Sequence, residues 1–193
     1  MKKIILIICL FAGFTFAANA QLLNVDYGAK VGLNLSNIND SDYKMKPGFH
    51  AGLFAELGFG SFALQPEVLY STQGAKGEES DDDGNYTIKA NFDYINIPIM
   101  AKYYVADGFN IQVGPQVGFL TNAKIVVDKE SMDIKEDTEN IDFGVNFGLG
   151  YKLPLVNLSV DARYNLGLTN IPKDAPDEKI NNRVIQISLA YGF

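Results

Sequence analysis

Apolar residues recur at every second position along most of this chain, the spacing of strands with two unlike faces. Eight such runs can be marked, over residues 26–36, 49–58, 62–73, 92–105, 109–120, 141–153, 156–168 and 183–193. No helix-period apolar segment follows residue 20. The connections alternate in length. Residues 58–61, Ala106-Asp107-Gly108 and Pro154-Leu155 are tight turns. Residues 37–48, 74–91, 121–140 and 169–182 are long, polar and charged. An even number of strands joined by alternately short and long connections predicts an all-β fold. It is an eight-stranded antiparallel up-and-down transmembrane β-barrel, with short periplasmic turns and long external loops.

Alternation alone does not say which face is the interior, but side-chain volume does. In residues 141–153 one face carries Ile141, Phe143, Val145, Phe147, Leu149, Tyr151 and Leu153. The other carries Asp142, Gly144, Asn146, Gly148, Gly150 and Lys152. Residues 110–118 repeat the contrast, with Ile111, Val113, Pro115 and Val117 against Asn110, Gln112, Gly114, Gln116 and Gly118. The interior of an eight-stranded barrel is only wide enough for side chains to fill it. The small polar set fits there, so the bulky apolar set points outward, where lipid makes it stable. Outward aromatics cluster near run ends: Tyr27, Phe49, Phe59, Phe62, Tyr70, Tyr103, Phe109, Phe119, Phe143, Tyr151, Tyr164, Tyr191 and Phe193. That placement suits girdles at the two membrane interfaces.

The first 20 residues have a different pattern. Lys2-Lys3 precede an unbroken apolar run over residues 4–18, too short for a spanning helix, and Ala18-Asn19-Ala20 matches a small-x-small cleavage site. Residues 1–20 are therefore expected to be an export signal and residues 21–193 the barrel. The lone cysteine, Cys9, lies inside that signal, so cleavage leaves no thiol for disulfides, catalysis or metal. The formal net charge is -7. It excludes nucleic acid as a partner, because phosphate binding needs a basic face.

Six charged residues fall on the inward face: Lys30, Glu56, Glu67, Lys102, Asp161 and Arg163. Buried charges need partners, and three acids with three bases balance. They read as a structural plug of ion pairs filling the lumen rather than as a proton or ion path. His50 is the only histidine and is expected in the lumen toward the external end. One histidine makes no histidine-based metal site. No acid–histidine–serine group gathers at one rim, so His50 reads as a satisfied lumen residue and the protein as no enzyme. The run Asp81-Asp82-Asp83-Gly84-Asn85 offers oxygen ligands but lacks the spacing of a calcium loop. It is expected as a solvated loop tip, and no cofactor or metal is expected anywhere.

Several segments carry a family resemblance. They are Gly28-Ala29-Lys30-Val31-Gly32-Leu33-Asn34-Leu35-Ser36, Gly48-Phe49-His50-Ala51-Gly52-Leu53-Phe54-Ala55-Glu56, Leu64-Gln65-Pro66-Glu67-Val68-Leu69-Tyr70-Ser71 and Tyr94-Ile95-Asn96-Ile97-Pro98. Gly114-Pro115, Gly148-Leu149-Gly150-Tyr151 and the run from Ala162 to Ile171 complete the set. The chain resembles the PorT-type outer-membrane β-barrel domain, a small barrel of the OmpA/OmpX kind. The terminal alternation Ile185, Ile187, Leu189, Tyr191, Phe193 resembles the assembly signal of bacterial outer-membrane barrels. The resemblance implies a Gram-negative outer-membrane location and, through PorT itself, an accessory place in protein secretion. Outer-membrane lipid and secretion-system or surface proteins are the partners it implies. A narrow channel for ions or small solutes is the alternative the same scaffold allows.

Overall fold

The computed structural model describes residues 23–38, 44–81, 84–127, 130–173 and 180–193. The expected export signal lies outside these residues. Among the described residues nine strands form: β1 (Leu23–Ile38), β2 (Lys44–Phe59), β3 (Phe62–Asp81), β4 (Gly84–Ala106), β5 (Phe109–Val127), β6 (Glu130–Asp133), β7 (Ile141–Lys152), β8 (Leu158–Gly167) and β9 (Asn182–Gly192). Eight of them close a ring in the order β1-β2-β3-β4-β5-β7-β8-β9. All pairs are antiparallel, and β1 meets β9 from Gly28 opposite Gly192 to Ile38 opposite Asn182. The closed ring leaves no edge strand, which a lipid-embedded sheet requires. The ninth strand, β6, lies outside the ring and pairs with the external end of β5.

Tight turns set the register at one end. Phe59 pairs with Phe62 across Gly60-Ser61, and Ala106 with Phe109 across Asp107-Gly108. Gly60 and Gly108 have φ of 61° and 79°, values that side-chain-bearing residues rarely adopt. The third turn is longer than Pro154-Leu155. It runs from Leu153 to Asn157, closed by Leu153 N–H on Leu158 O at 2.9 Å. Pro154 has no N–H to give a ladder, so pairing stops before it and β8 begins at Leu158 rather than at residue 156.

The external connections are more ordered than their composition suggests. Residues 74–91 are largely strand: β3 and β4 stay paired to Asp81 opposite Gly84. The inward pairs Ala75–Ala90 and Gly77–Ile88 continue the period-two pattern that the surrounding charges obscure. Asp82 and Asp83, the centre of the expected acidic tip, lie outside the described residues. Within residues 121–140, β5 continues to Val127 and turns back as β6. β2 begins at Lys44, so residues 44–48 are strand as well.

Apolar and polar positions are inverted relative to a water-soluble fold. Outward-facing Val31, Leu33, Leu53, Phe143 and Ile187 are all more than half exposed, with Leu33 at 68%. Lys30, Asn34, His50, Glu67 and Asp161 are almost wholly buried in the lumen. All thirteen aromatics expected on the outer face are exposed there. Rings pair across neighbouring strands, Phe62 with Tyr103 at 4.8 Å and Phe49 with Tyr70 at 6.0 Å between centroids.

Candidate functional site in the barrel lumen

Strand alternation sends one residue in two into the lumen, and ring closure stacks them in layers. At the periplasmic mouth an open vestibule of about 460 Å³ is lined in part by Asp26, Glu56, Tyr104 and Lys152. Lys152 pairs with Asp26 at 2.6 Å, both partly exposed. At its inner end Lys102 Nζ lies 2.8 Å from Glu56, whose other oxygen accepts from the Tyr104 hydroxyl at 2.9 Å.

The next layer is a four-charge cluster. Lys30 Nζ contacts Glu67 at 2.9 Å and Asp161 at 2.7 Å. Arg163 grips both oxygens of Glu67 in a two-pronged pair, at 2.9 and 2.8 Å. Gln112 fills the remaining gaps, accepting from Arg163 Nε at 2.8 Å and donating to Asp161 Oδ1 at 2.7 Å. Gln65 donates a further bond to Glu67. The charges cancel, and the two-pronged geometry is the strong form of this interaction. The six inward charges thus form two groups, Lys102 with Glu56 and Lys30 with Glu67, Asp161 and Arg163.

His50 stands one register step above Lys30, next to Phe49 on β2 and on the external side of the charged layer. Its Nδ1 is 2.8 Å from Asn34 Oδ1 and its Nε2 is 2.8 Å from Ser188 Oγ. Asn34 donates its amide to Phe49 O and Thr72 O, which turns its oxygen toward the ring. Nδ1 is therefore the donor, and in the neutral ring Nε2 accepts from Ser188. Ser188, His50 and Asn34 have the connectivity of a nucleophile, a base and an orienting group. They are 2%, 1% and 0% exposed, and the vestibule lining includes none of them. Sequence inspection missed both partners: Ser188 reaches His50 only because ring closure brings β9 beside β1, and Asn34 lies on the neighbouring strand β1 with no motif to mark the contact.

Above these layers Asn146 donates to Gln116 and accepts from Asn165, both at 3.2 Å. Asn182 donates to the Tyr94 hydroxyl and to Asp142, both at 3.3 Å. There the polar column ends. Ile38, Ala75, Phe92, Tyr94, Leu120, Ala123 and Ile171 form an apolar cap across the external mouth, with Ala90, Ile134 and Ile180 against it. A bulge between Asp93 and Tyr94 adjusts the register where the cap begins. Ile134 and Ile171 come from the two external connections 134–140 and 168–181. These are tied together by Glu139 N–H on Ile171 O at 2.9 Å and Lys173 N–H on Asp137 O at 3.1 Å. Thr138 and Pro172 form a short bridge between them. Among the described residues no group of three or more His, Cys, Asp or Glu side chains could hold a metal ion.

An apolar outer band, aromatic girdles and a closed ring filled with polar side chains define a small outer-membrane β-barrel. The chain belongs to the outer membrane protein beta-barrel domain family, whose model matches residues 16–172. Its fold is similar to that of Neisserial surface protein A, at 12% identity over 88% of this chain and 99% of that one, with a TM-score of 0.60. It is also similar to Ail, the attachment invasion locus protein of Yersinia pestis, solved in complex with the heparin analogue sucrose octasulfate. There the identity is 15% over 88% of this chain and 99% of that one, with a TM-score of 0.51. At such identities the likeness is one of fold. No curated protein matches the chain in sequence. The protein is an outer-membrane protein whose outer face contacts lipid.

Proposed function

We propose that this barrel is a non-enzymatic, non-conducting scaffold that holds its external connections and periplasmic turns for a protein partner. An accessory place in protein secretion is the role its PorT-type resemblance implies. The observation that carries the reading is the doubly blocked lumen. A neutralised ion-pair layer crosses the lumen between β1, β3 and β8, and an apolar cluster lies across the mouth above it. What remains free to act is the surface at the two ends. Ser188, His50 and Asn34 are each at most 2% exposed, which supports a structural role for His50. The charge cluster of Lys30, Glu56, Glu67, Lys102, Asp161 and Arg163 serves as an interlock between strands distant in sequence.

The test is affinity purification from gently solubilised envelopes together with measurement of secreted protein in a deletion strain. Co-elution of secretion components and a secretion defect support the accessory role. Unchanged secretion and a barrel eluting alone count against it.

A narrow channel is the second reading. It is favoured by the vestibule and the polar column that reaches from the periplasmic mouth to Tyr94. Steady conductance of the purified barrel in a planar bilayer would establish it in place of the scaffold.

A further inference from the structure

The inward charges find partners of opposite sign except at one place. Lys30, Glu67, Asp161 and Arg163 satisfy one another, Lys102 pairs with Glu56, and Lys152 with Asp26. Asp142 of β7, at the top of the polar column, has no such partner. Its carboxylate is held by the Asn182 amide and the Thr169 N–H, and among the described residues no cation holds it. Its Oδ1 is buried without a hydrogen-bond partner. The Oδ1 of Asn182, a residue 0% exposed, is orphaned in the same way. A buried acceptor without a donor is costly, and a buried carboxylate without a cation more so.

Turning the Asn182 amide over does not relieve this. Its nitrogen donates to the Tyr94 hydroxyl and to Asp142 Oδ2, and the reversed amide would set its oxygen against the carboxylate. Both bonds are long at 3.3 Å, so the two side-chain heads have room to turn. Tyr94 belongs to the apolar cap, and Asn182 stands opposite Ile38, another cap residue, so the cluster lies directly over these oxygens. Gly118 stands in register between Asn96 of β4 and Asp142. A Cβ there would lie 2.7 Å from Asn96 Oδ1, 3.3 Å from the Tyr94 ring and 3.6 Å from Asp142 Cβ, so the glycine keeps open the space these groups border. Two orphan oxygens, a hydroxyl with a lone pair to spare and one uncancelled negative charge call for a small cation. We propose that Asp142, Asn182 and Tyr94 form a binding site for one monovalent alkali cation beneath the cap. One carboxylate matches one positive charge, whereas divalent ions gather several carboxylates. Neutral oxygens that stand in for a hydration shell suit sodium or potassium. The site goes beyond the scaffold reading, because its ion fastens β4, β7 and β9 together with or without a partner.

The experiment uses the full-length barrel folded in neutral detergent at about pH 8, well above the carboxylate range. Urea unfolding is followed by far-UV circular dichroism in NaCl or KCl, with choline chloride holding the ionic strength constant. One bound ion raises the folding equilibrium constant about tenfold for each tenfold rise in alkali cation above the dissociation constant, and choline gives no such rise. Asp142→Asn removes the charge, keeps the shape and supplies N–H donors. It is expected to abolish the dependence and to be more stable than the parent in choline alone. Asp26→Asn, at the periplasmic mouth, keeps the dependence. The proposal is overturned if alkali and choline salts stabilise the parent alike, a contrast that decides even where the variant does not fold. An Asp142→Asn barrel that keeps the full dependence also overturns it. So does one that loses equal stability in both salts, since Asp142 is then a hydrogen-bond acceptor alone.

Discussion

Glu67 shows how much one side chain can hold in a lumen with no spare volume. It accepts from Lys30, from both arms of Arg163 and from Gln65, and it is almost wholly buried. Removing it leaves two cations against Asp161 alone, and an uncompensated buried charge typically costs about 3–5 kcal/mol. We expect Glu67→Ala to lower stability by that amount in urea unfolding. The chain has no tryptophan, so the transition is followed by far-UV circular dichroism. A loss under about 1 kcal/mol would mean that water enters the layer and solvates the cations. On the opposite face the sign of residue preference inverts. Leu53 lies midway between Phe49 and Phe59 on β2 and is 62% exposed toward lipid. Leu53→Arg is expected to cost about 2–4 kcal/mol in vesicle-embedded protein. The penalty should largely vanish for an arginine placed at Thr72, above the girdle; equal penalties would contradict the assigned membrane level. The inward charges were legible in the sequence because alternation and lumen volume together fix their face. Gln112 was legible as inward but not as the bridge between Arg163 and Asp161, since its partner strand is set only by ring closure.

At the level of elements, strands betray themselves where a lipid face enforces alternation, and hide where it does not. The membrane portions of β1 to β5 and of β7 to β9 follow the expected runs closely. The external extensions of β3, β4 and β5 read as loops in the sequence, because above the girdle both faces meet water and the apolar alternation fades. What orders them is the cap, which requires Ala75, Phe92 and Ala123 to point inward. Residues 134–140, 168–173 and 180–181 depend on the same cluster through Ile134, Ile171 and Ile180. This makes Ile171, 8% exposed, the residue on which the lid turns. Ile171→Asp places a charge among apolar side chains and should release the lid while the ring stays closed. Limited trypsin digestion reads this directly, at Lys135 and Lys173. Both lysines are tied down in the parent, Lys135 Nζ on Thr121 O at 3.0 Å and Lys173 Nζ on Glu136 O at 2.6 Å. Faster cleavage at both sites with an intact barrel core is the expected result. Unchanged cleavage would show that the backbone bonds between the two connections suffice without the cap.

For the whole molecule, the scaffold reading proposed above rests on two barriers in the lumen that would act in series and on opposite physics. The cap would exclude ions by withholding partners for their hydration, as hydrophobic constrictions do. The layer around Lys30 and Arg163 would exclude them by occupying the space with charges that already satisfy one another. Barriers in series are additive in resistance, so weakening one leaves the other in control. Phe92 and Leu120 are two large apolar members of the cap on the neighbouring strands β4 and β5, and trimming both to alanine leaves a wetted external mouth above an unchanged ion-pair layer. The double variant Phe92→Ala/Leu120→Ala should therefore stay electrically silent in a planar bilayer, although solutes gain access to Tyr94 from outside. Hydrogen exchange of the amides near Asn182 and Tyr94 would report that access. Steady conductance from the double variant would place the whole seal in the cap, and would turn the scaffold reading into that of a channel with a hydrophobic gate. Silence together with faster exchange locates the permanent seal at the charged layer. Every strand that contributes to that layer also forms the wall, so opening it would require the barrel itself to give way.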